Sequence, residues 1–401
     1  MTAVRTLGEV SAVAQKTGDI MPQATADVAQ PPQDGPAGQA CPGSTGPSSN
    51  GSNGSTTGSN GPTTGSAGTS DASGSDFAPL LRTVRGQGLL ERRTGWYALG
   101  IAANLAALAG VVTAIVFVGD TWWNLPLTLP LAVLWTRTAF VGHDAGHSQI
   151  TGDRTVSRII GLLHANVLLG MNEAWWNDKH VRHHANPNHV DKDPDVGVGA
   201  LVWTQKQAAR REGFARWLTR NQARLFFPML LLEGIALKIY GFQFLRRQPV
   251  RERALCGLLL AAHLGLYATL LLTVMSPGKA VVFALAHHAL FGLHLGMAFA
   301  PNHKGMEMPD PDGPRWGHMR RQVLTSRNVR GAVLTDWFLG GLNYQIEHHL
   351  FPSMPRPHLR LAQPLVKARC AEIGMPYTET GLVESYRQAL RHMHDVGAPL
   401  R

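Results

Sequence analysis

The chain has 401 residues and a formal net charge of +10, with 16% charged and 44% hydrophobic residues. Ordinary soluble domains carry roughly 25% charged residues, so the composition argues against a uniform soluble globule. Its three cysteines are odd in number and far apart, which argues against a disulfide scaffold. The basic excess is compatible with binding to nucleic acid or to a cytoplasmic membrane surface.

The first part of the chain differs in composition from the rest. Between residues 41 and 75 it consists mostly of Gly, Ser, Thr, Asn and Pro, and its only apolar side chains are Cys41, Ala67 and Ala72. Such a segment cannot bury enough apolar surface to offset the entropy of ordering it. We therefore expect a disordered Gly/Ser-rich tail over residues 1–76 and a membrane-bound domain over residues 77–401. No basic start followed by an apolar run is present, so no cleavable signal peptide is expected.

Four long apolar stretches predict helices that cross a membrane. Each has about the 20 residues that an α-helix needs to span the hydrocarbon core. The predicted spans are residues 97–119, 121–140, 254–275 and 280–300. Two shorter stretches, residues 226–237 and 156–171, contain charged residues and predict interfacial or re-entrant helices. The predicted fold class is all-α: four transmembrane helices and a cytoplasmic helical cap.

The distribution of basic residues predicts the orientation in the membrane. Eleven of them lie between Lys206 and Arg253, whereas the turn around Asp120 has none. Because basic loops stay in the cytoplasm, both termini and the long middle segment are expected there. The excess of basic residues is then explained by cytoplasmic loops of a membrane protein, and no nucleic-acid partner is expected.

Three histidine clusters are the candidate site. They are His143 and His147; His180, His183 and His184; and His348 and His349, with Gln345 three residues before His348. Residues at i, i+3 and i+4 share one face of a helix, and imidazole is a good ligand for iron, copper, zinc or nickel. Seven histidines are too many for one tetrahedral site and indicate two metals held between helices. The carboxylates expected to orient these rings are Asp144, Asp178, Glu347, Asp191, Asp193 and Asp195.

The predicted topology places the clusters together. Two predicted spans lie between the second and third clusters. Because this number is even, the two clusters lie on the same, cytoplasmic side. Had residues 226–237 crossed the bilayer, the third cluster would face the other compartment. The remaining histidines are expected to be structural or to line polar space, and three of them could line a cavity leading to the site: His287, His288 and His294.

From Trp96 to Tyr377 these features resemble the membrane-bound fatty acid desaturases. Gln345 in place of the first histidine, the segment 336–352 and the segment Gly374–Tyr377 resemble the front-end branch. By this resemblance His303 is an eighth ligand beside Asn302, and Gln345, Asp144, Asn302 and Glu347 support the ligands. The resemblance implies a di-iron centre, O2 as co-substrate, and insertion of a cis double bond into an acyl chain carried by coenzyme A or a lipid.

The sequence departs from this family in one respect and leaves alternatives open. The His-Pro-Gly-Gly motif of a fused haem domain is absent, as in bacterial members, so electrons are expected from a separate ferredoxin-like protein or a flavoprotein reductase. An acyl or lipid hydroxylase or ketolase on the same scaffold is an alternative function. A membrane metal transporter is less compatible, because the clusters lie outside the predicted spans.

Overall fold

The computed structural model describes residues 76–401. The predicted tail, apart from Asp76, lies outside the described residues. The helices are α1 (Phe77–Gly86), α2 (Thr94–Val118), α3 (Thr128–Gly146), α4 (Arg154–Leu162), α5 (Glu173–Ala185), α6 (Gln205–Ala209), α7 (Gly213–Arg220), α8 (Gln222–Phe244), α9 (Val250–Val274), α10 (Pro277–Phe299), α11 (His318–Leu324), α12 (Val333–Phe338), α13 (Gln345–Leu350), α14 (Arg356–Glu372) and α15 (Leu382–Val396). Five short 3-10 or π segments lie between these helices, namely Trp122–Leu127, Leu163–Leu169 (π), Pro194–Val196, Leu245–Arg247 and Ala300–Asn302, and a sixth, Ala398–Leu400, follows α15.

Within residues 76–401, five helices are long and apolar enough to cross a membrane, counting the short helical segments joined to three of them. They are Thr94–Val118, Trp122–Gly146, Gln222–Arg247, Val250–Val274 and Pro277–Asn302. Four of the five correspond to the predicted spans. The predicted and observed bounds differ most for α3. This helix begins after the Trp122–Leu127 turn and continues to Gly146, six residues past the predicted end of the span. Arg137 does not end the helix, because its guanidinium donates to the carbonyl of Trp337 over 3.0 Å.

The fifth long helix is α8, and here the predicted length was wrong. A twelve-residue interfacial helix was expected over residues 226–237, whereas α8 has 23 residues. The helix extends through polar positions because their side chains find partners inside the protein. Gln222 donates to the carbonyl of Met393 over 3.0 Å, and Lys238 donates to the carbonyl of Leu169.

Close helix packing joins α8 to α10. A Cβ atom added to Gly292 would lie 2.4 Å from the backbone nitrogen of Gly234, so the two helices cross with their backbones in contact. Glycine at both positions permits this approach. The crossing fixes α8 against the helix that leads to His303.

The segment over residues 156–171, expected to be interfacial or re-entrant, begins in α4 and continues into a π-helix. Helix α4 continues directly into Leu163–Leu169. The wider π turns leave backbone carbonyls that must bond elsewhere. Nδ1 of His263 lies 2.9 Å from the carbonyl of Val167, and Lys238 bonds to that of Leu169. Helices α8 and α9 therefore hold the π-helix in place.

The turn after α2 and the turn between α9 and α10 meet. The backbone N–H of Ser276 donates to Oδ1 of Asp120 over 2.8 Å, and Nζ of Lys279 donates to the Asp120 carbonyl over 2.7 Å. The hairpins α2–α3 and α9–α10 thus have their turns at the same end of the helix bundle.

A group of helices, called the cap below, packs together beside the end of α3 that carries His143. Side chains of α1, α11, α13 and α14 share one apolar core, which includes Val84, Val323, Ile346 and Val366. The strands β1 (Asn328–Val329) and β2 (Glu379–Thr380) pair in parallel within the cap. The cap presents α13 to the ends of α3 and α5, where the histidines lie.

Candidate metal centre

The end of helix α3 carries the first histidine pair. His143 and His147 are about one helical turn apart, so both rings leave the same side of the helix, and their centroids lie 4.9 Å apart. Nδ1 of His143 lies 3.0 Å from Oδ1 of Asp144. Because the carboxylate is an acceptor, Nδ1 carries the proton and Nε2 keeps its lone pair.

Helix α5 carries the second set, and its three rings point in two directions. His180 and His184 face the α3 pair, and the ring centroids of His184 and His147 lie 4.5 Å apart. The ring of His183 lies 4.7 Å from that of His303, and its Nδ1 lies 2.9 Å from Oδ2 of Asp193. The i, i+3, i+4 spacing therefore serves two groups of residues.

Helix α13 and the turn after α10 supply the third set. The ring centroid of His348 lies 4.8 Å from that of His143, whereas His349 lies 4.6 Å from His303. His303 follows the 3-10 turn Ala300–Asn302. Its Nδ1 donates to the carbonyl of Thr325 over 2.9 Å. Neighbouring residues on one short helix thus contribute to two different groups.

All eight candidate ligands lie in two adjacent groups. In each group, one ligand atom from every residue lies within 4.8 Å of the others. The five-histidine group contains His143, His147, His180, His184 and His348, and the three-histidine group contains His183, His303 and His349. His183 also belongs to a set with Asp193 and Asp195. Two neighbouring groups of imidazoles are the arrangement that two metal ions would need.

The chemistry of these nitrogens fits a transition metal. Several are buried without a hydrogen-bond partner: Nε2 of His143, His147, His348 and His349, and Nδ1 of His184 and His348. Leaving a buried polar atom unpaired costs about 1–3 kcal/mol, and coordination to a metal would remove that cost. Burial, followed by the neighbouring histidines, lowers the pKa of His180, His184 and His349 well below the usual value. Neutral imidazoles keep the lone pair that a metal requires.

Two residues that orient the rings were missed by the sequence analysis. The side-chain oxygen of Gln322 lies 3.0 Å from Nδ1 of His349, and the Thr325 carbonyl bonds to His303. Both contacts come from α11 and the turn after it. Neither has a fixed spacing from a histidine cluster, so no pattern in the sequence could identify them.

The residues expected to support the ligands have different surroundings. Asp144 bonds to His143 and also accepts from Tyr97 Oη at 3.1 Å and from Arg356. Asn302 contacts Gln345, with 3.3 Å between its Nδ2 and the glutamine Oε1.

The carboxylate of Glu347 bonds to the cap instead of to a histidine. It accepts from Nδ2 of Asn328 at 2.6 Å and from the hydroxyl of Tyr377 at 2.8 Å. Oδ1 of Asn328 in turn accepts from the backbone N–H of Ile346 at 2.9 Å. Burial raises the pKa of Glu347 to about 7. Its place in the structure is the junction between α13 and β1.

The carboxylates of α5 and of residues 191–195 also differ in whether they contact a histidine. Asp178 pairs with Arg182 over 2.8 Å on the exposed side of α5, so the expected contact with a histidine is not formed. Oδ2 of Asp195 lies 3.4 Å from Nδ1 of His183, and the other oxygen pairs with Lys179. Asp193 and Asp195 thus orient His183.

An apolar cavity adjoins the five-histidine group. Its walls come from α3, the π-helix, the start of α5 and the end of α10: Ala139, Gly142, His143, Ala165, Leu169, Met171, Glu173, Trp176, Leu295 and Phe299. His143 belongs both to this wall and to the histidine group. Trp176 stacks on His180 at 5.0 Å and closes the cavity on that side.

The three histidines expected to line such a cavity lie elsewhere. The rings of His287 and His288 pack against Trp135 at 4.2 and 5.7 Å, and Nδ1 of His287 bonds to the hydroxyl of Tyr267 at 2.8 Å. Nε2 of His294 bonds to the carbonyl of Phe338 at 3.0 Å. None of the three lines the apolar cavity, and Nε2 of His287 and Nδ1 of His294 are buried without a hydrogen-bond partner.

Comparison with known proteins places this arrangement in a family. The family model described as fatty acid desaturase matches residues 120–381. The chain is 28% identical to Delta(8)-fatty-acid desaturase 2 of Arabidopsis thaliana over 83% of this chain and 76% of that protein. It is 31% identical to fatty acid desaturase 3 of Bos taurus, over 75% of this chain and 68% of the bovine protein. An acyl-lipid (9-3)-desaturase of Physcomitrium patens is 27% identical over 75% of this chain and 58% of that protein. The chain belongs to the fatty acid desaturase family and is an oxidoreductase.

Proposed function

We propose that the chain uses O2 and two irons to insert a cis double bond into an acyl chain carried by coenzyme A or a membrane lipid. The observation that carries this proposal is the apolar cavity whose wall includes His143. The side chains of Leu169, Leu295 and Phe299 in its lining suit methylene groups. The names of the relatives, which include fatty-acid and acyl-lipid desaturases, support the same substrate class.

The eight histidines would hold the irons, one in each group. When bound, the irons would supply the oxidising power that activates O2. The reaction balances as follows: two hydrogens leave adjacent methylenes, two further electrons and two protons come from a donor, and O2 is reduced to two waters. A separate ferredoxin-like protein or flavoprotein reductase is the proposed source of these electrons.

The chain's own residues position the reactants. Asp144, Asp193, Gln322 and the Thr325 carbonyl each bond to Nδ1 of a histidine, so the opposite nitrogen faces its group. Leu169, on the π-helix, would contact the acyl chain in the proposed site. Such partners beyond the ligands commonly change metal affinity or activity by about 10–100-fold when they are removed.

We further propose that four of the five long helices cross the bilayer and that α8 does not complete a crossing. Helices α8, α9 and α10 all lie between the second and third histidine clusters. If all three crossed, His184 and His349 would lie on opposite sides, whereas their rings stack at 4.1 Å. The contacts of Asp120 with Ser276 and Lys279 join the turns of the two hairpins at one end. Helix α8 is therefore the one that begins and ends on the side of the cap.

The basic residues from Lys206 to Arg253 support a cytoplasmic location for the active site and both termini. The experiment that tests this labels single cysteines introduced at Asp120 and Arg210 with a membrane-impermeant maleimide in intact cells. We expect labelling at position 120 and protection at position 210 until the cells are opened. The reverse pattern would contradict the orientation, and labelling of both would contradict the topology.

The activity is tested by expressing the chain in cells fed with deuterated acyl chains and analysing the products by mass spectrometry. We expect a product that has lost two deuterium atoms and that forms only when O2 is present. His147→Ala and His303→Ala, one from each group, should abolish it and reduce iron from about two per chain. The exposed His394→Ala is the matched control and should keep both. An oxygenated product would instead identify a hydroxylase, and active enzyme containing zinc alone would contradict the di-iron proposal.

A further inference from the structure

A second cavity lies beside α3, apart from the apolar one. Its volume is about 370 Å³, and Arg137, Arg356 and Arg360 line it together with Asp336, Trp96 and Trp337. Its nine lining residues include neither a candidate ligand nor a lining residue of the apolar cavity. It is therefore separate from the histidine groups and from the proposed acyl site.

The charge of this cavity favours an anion. Three guanidinium groups face one carboxylate, that of Asp336, which already accepts from Nδ2 of Asn343 at 2.8 Å and from the Tyr344 hydroxyl at 3.2 Å. Arg356 pairs with Asp144, yet its Nε is buried without a partner. A buried donor of this kind needs an acceptor.

The other two arginines also have donors to spare. Arg137 donates one bond, to the carbonyl of Trp337, and its guanidinium lies 4.8 Å from the centre of that indole ring. Arg360 is exposed. Guanidinium groups bind phosphate well, because their planar forks match its oxygen geometry.

The position of the cavity points to the membrane surface. Trp96 lies at the start of the first predicted span, and both Trp96 and Trp337 are 44% exposed. Tryptophan is enriched at membrane interfaces. On α12, Val333 and Leu334 are 85% and 74% exposed, as expected for a short helix that dips into the lipid. In the proposed topology the arginines would lie near the lipid headgroups.

We propose that this cavity binds the phosphate of an anionic phospholipid of the surrounding bilayer. The site is connected to the active site, because Arg356 bonds to Asp144 and Asp144 orients His143. A bound phosphate would hold Arg356 in this position. The lipid would therefore be a bound component that supports the ligand set, separate from the acyl substrate in the other cavity.

The test measures lipid retained by the purified full-length protein. The protein is placed in nanodiscs of phosphatidylcholine with a minor fraction of phosphatidylglycerol, then transferred to detergent, and the bound lipid is counted by native mass spectrometry. Each arginine near a lipid surface contributes about 1 kcal/mol, which corresponds to roughly a fivefold change in affinity. We expect about fivefold weaker retention of phosphatidylglycerol for Arg360→Gln and a larger loss for Arg137→Gln with Arg360→Gln.

Arg253→Gln removes another exposed arginine, outside the cavity, and is the matched control. It should retain phosphatidylglycerol as the unchanged protein does. Iron content and melting temperature show whether each variant is folded, and Arg360→Gln, on an exposed side chain, should change neither. Equal retention by all variants would overturn the proposal.

Two further measurements distinguish other anions. Displacement of phosphatidylglycerol by micromolar coenzyme A would overturn the proposal by assigning the cavity to the phosphates of a substrate carrier. A slower electron transfer from the donor protein in Arg360→Gln, with unchanged lipid retention, would assign it to an acidic redox partner. We expect neither effect.

Discussion

Nε2 of Gln345 lies 2.8 Å from Nε2 of His303. Because Nδ1 of His303 donates to the Thr325 carbonyl, Nε2 is the acceptor and the glutamine amide donates to it. The same nitrogen is the one that a metal bound to the three-histidine group would take. A single lone pair can serve only one partner, so metal binding requires the Gln345 amide to turn away or present its oxygen.

This contact leads to a prediction for Gln345→Ala and Gln345→His. An amide is a poorer iron ligand than imidazole, so its removal should leave iron content near normal while lowering activity. The histidine variant restores the commoner His-x-x-His-His pattern and should retain iron and some activity, with a changed distribution of double-bond positions. Elemental analysis and product analysis of each purified variant check both outcomes. Iron loss in Gln345→Ala as complete as in His348→Ala would show that Gln345 is itself a ligand.

The sequence could predict that the histidines come together, because helical spacing fixes which side chains share a face. It could not predict the division between groups, since that depends on how α5 and α13 cross. His183 and His184 are neighbours, yet they belong to different groups. Glu347, adjacent to His348, bonds to Asn328 because β1 packs against that side of α13.

Contacts between distant segments also explain the other differences. The apolar run predicted a short α8, because Lys238 has a charge that usually ends such a run. In the folded chain Lys238 has an acceptor in the Leu169 carbonyl, 69 residues away in sequence, so the helix continues. Gln322 escaped notice for the same reason: its partner, His349, lies 27 residues further along the chain.

A second prediction concerns Asp144, which joins His143 to Tyr97 and Arg356. Asp144→Asn keeps the shape of the side chain but removes the charge that holds the imidazole and the guanidinium. We expect a loss of about 10–100-fold in iron affinity or activity. Competition with a chelator and measurement of the turnover rate check this.

Tyr97→Phe is the matched control for Asp144→Asn, because it removes the hydroxyl that donates to the same carboxylate and accepts from the backbone N–H of Arg356, and leaves the charge in place. The loss of a hydrogen bond to a charged group costs about 1.5–3 kcal/mol. We expect a small decrease in melting temperature and near-normal iron binding. Equal iron affinity in Asp144→Asn and the unchanged protein would contradict the assigned role of Asp144.

A third prediction is that deletion of residues 1–75 preserves membrane insertion and activity. This segment contains no histidine, and the family match begins at residue 120. Activity of the shortened chain is measured with a competent electron donor in the same membranes. A large loss of turnover in the presence of normal iron content would show that the segment takes part in the reaction.

The last prediction concerns Lys238, whose ammonium group lies 3.3 Å from Nε2 of His263 and 4.9 Å from the ring centre of Trp135. A charged group inside a membrane domain is costly and is usually retained for function. Lys238 donates to the carbonyl of Leu169, and Leu169 lines the apolar cavity. Lys238 is therefore a positioning residue that holds the wall of the proposed acyl site.

Lys238→Met keeps the length of the side chain but leaves the Leu169 carbonyl unpaired, at a cost of about 1–3 kcal/mol. We expect the π-helix to shift and the double bond to form at more than one position, with iron content unchanged. Mass spectrometry of derivatised products gives the ratio of positional isomers, and the exposed Lys192→Met is the matched control. A lower melting temperature with an unchanged isomer ratio would mean that Lys238 only stabilises the bundle. A changed ratio would show that a residue outside the cavity lining sets the depth of the acyl chain through one backbone carbonyl.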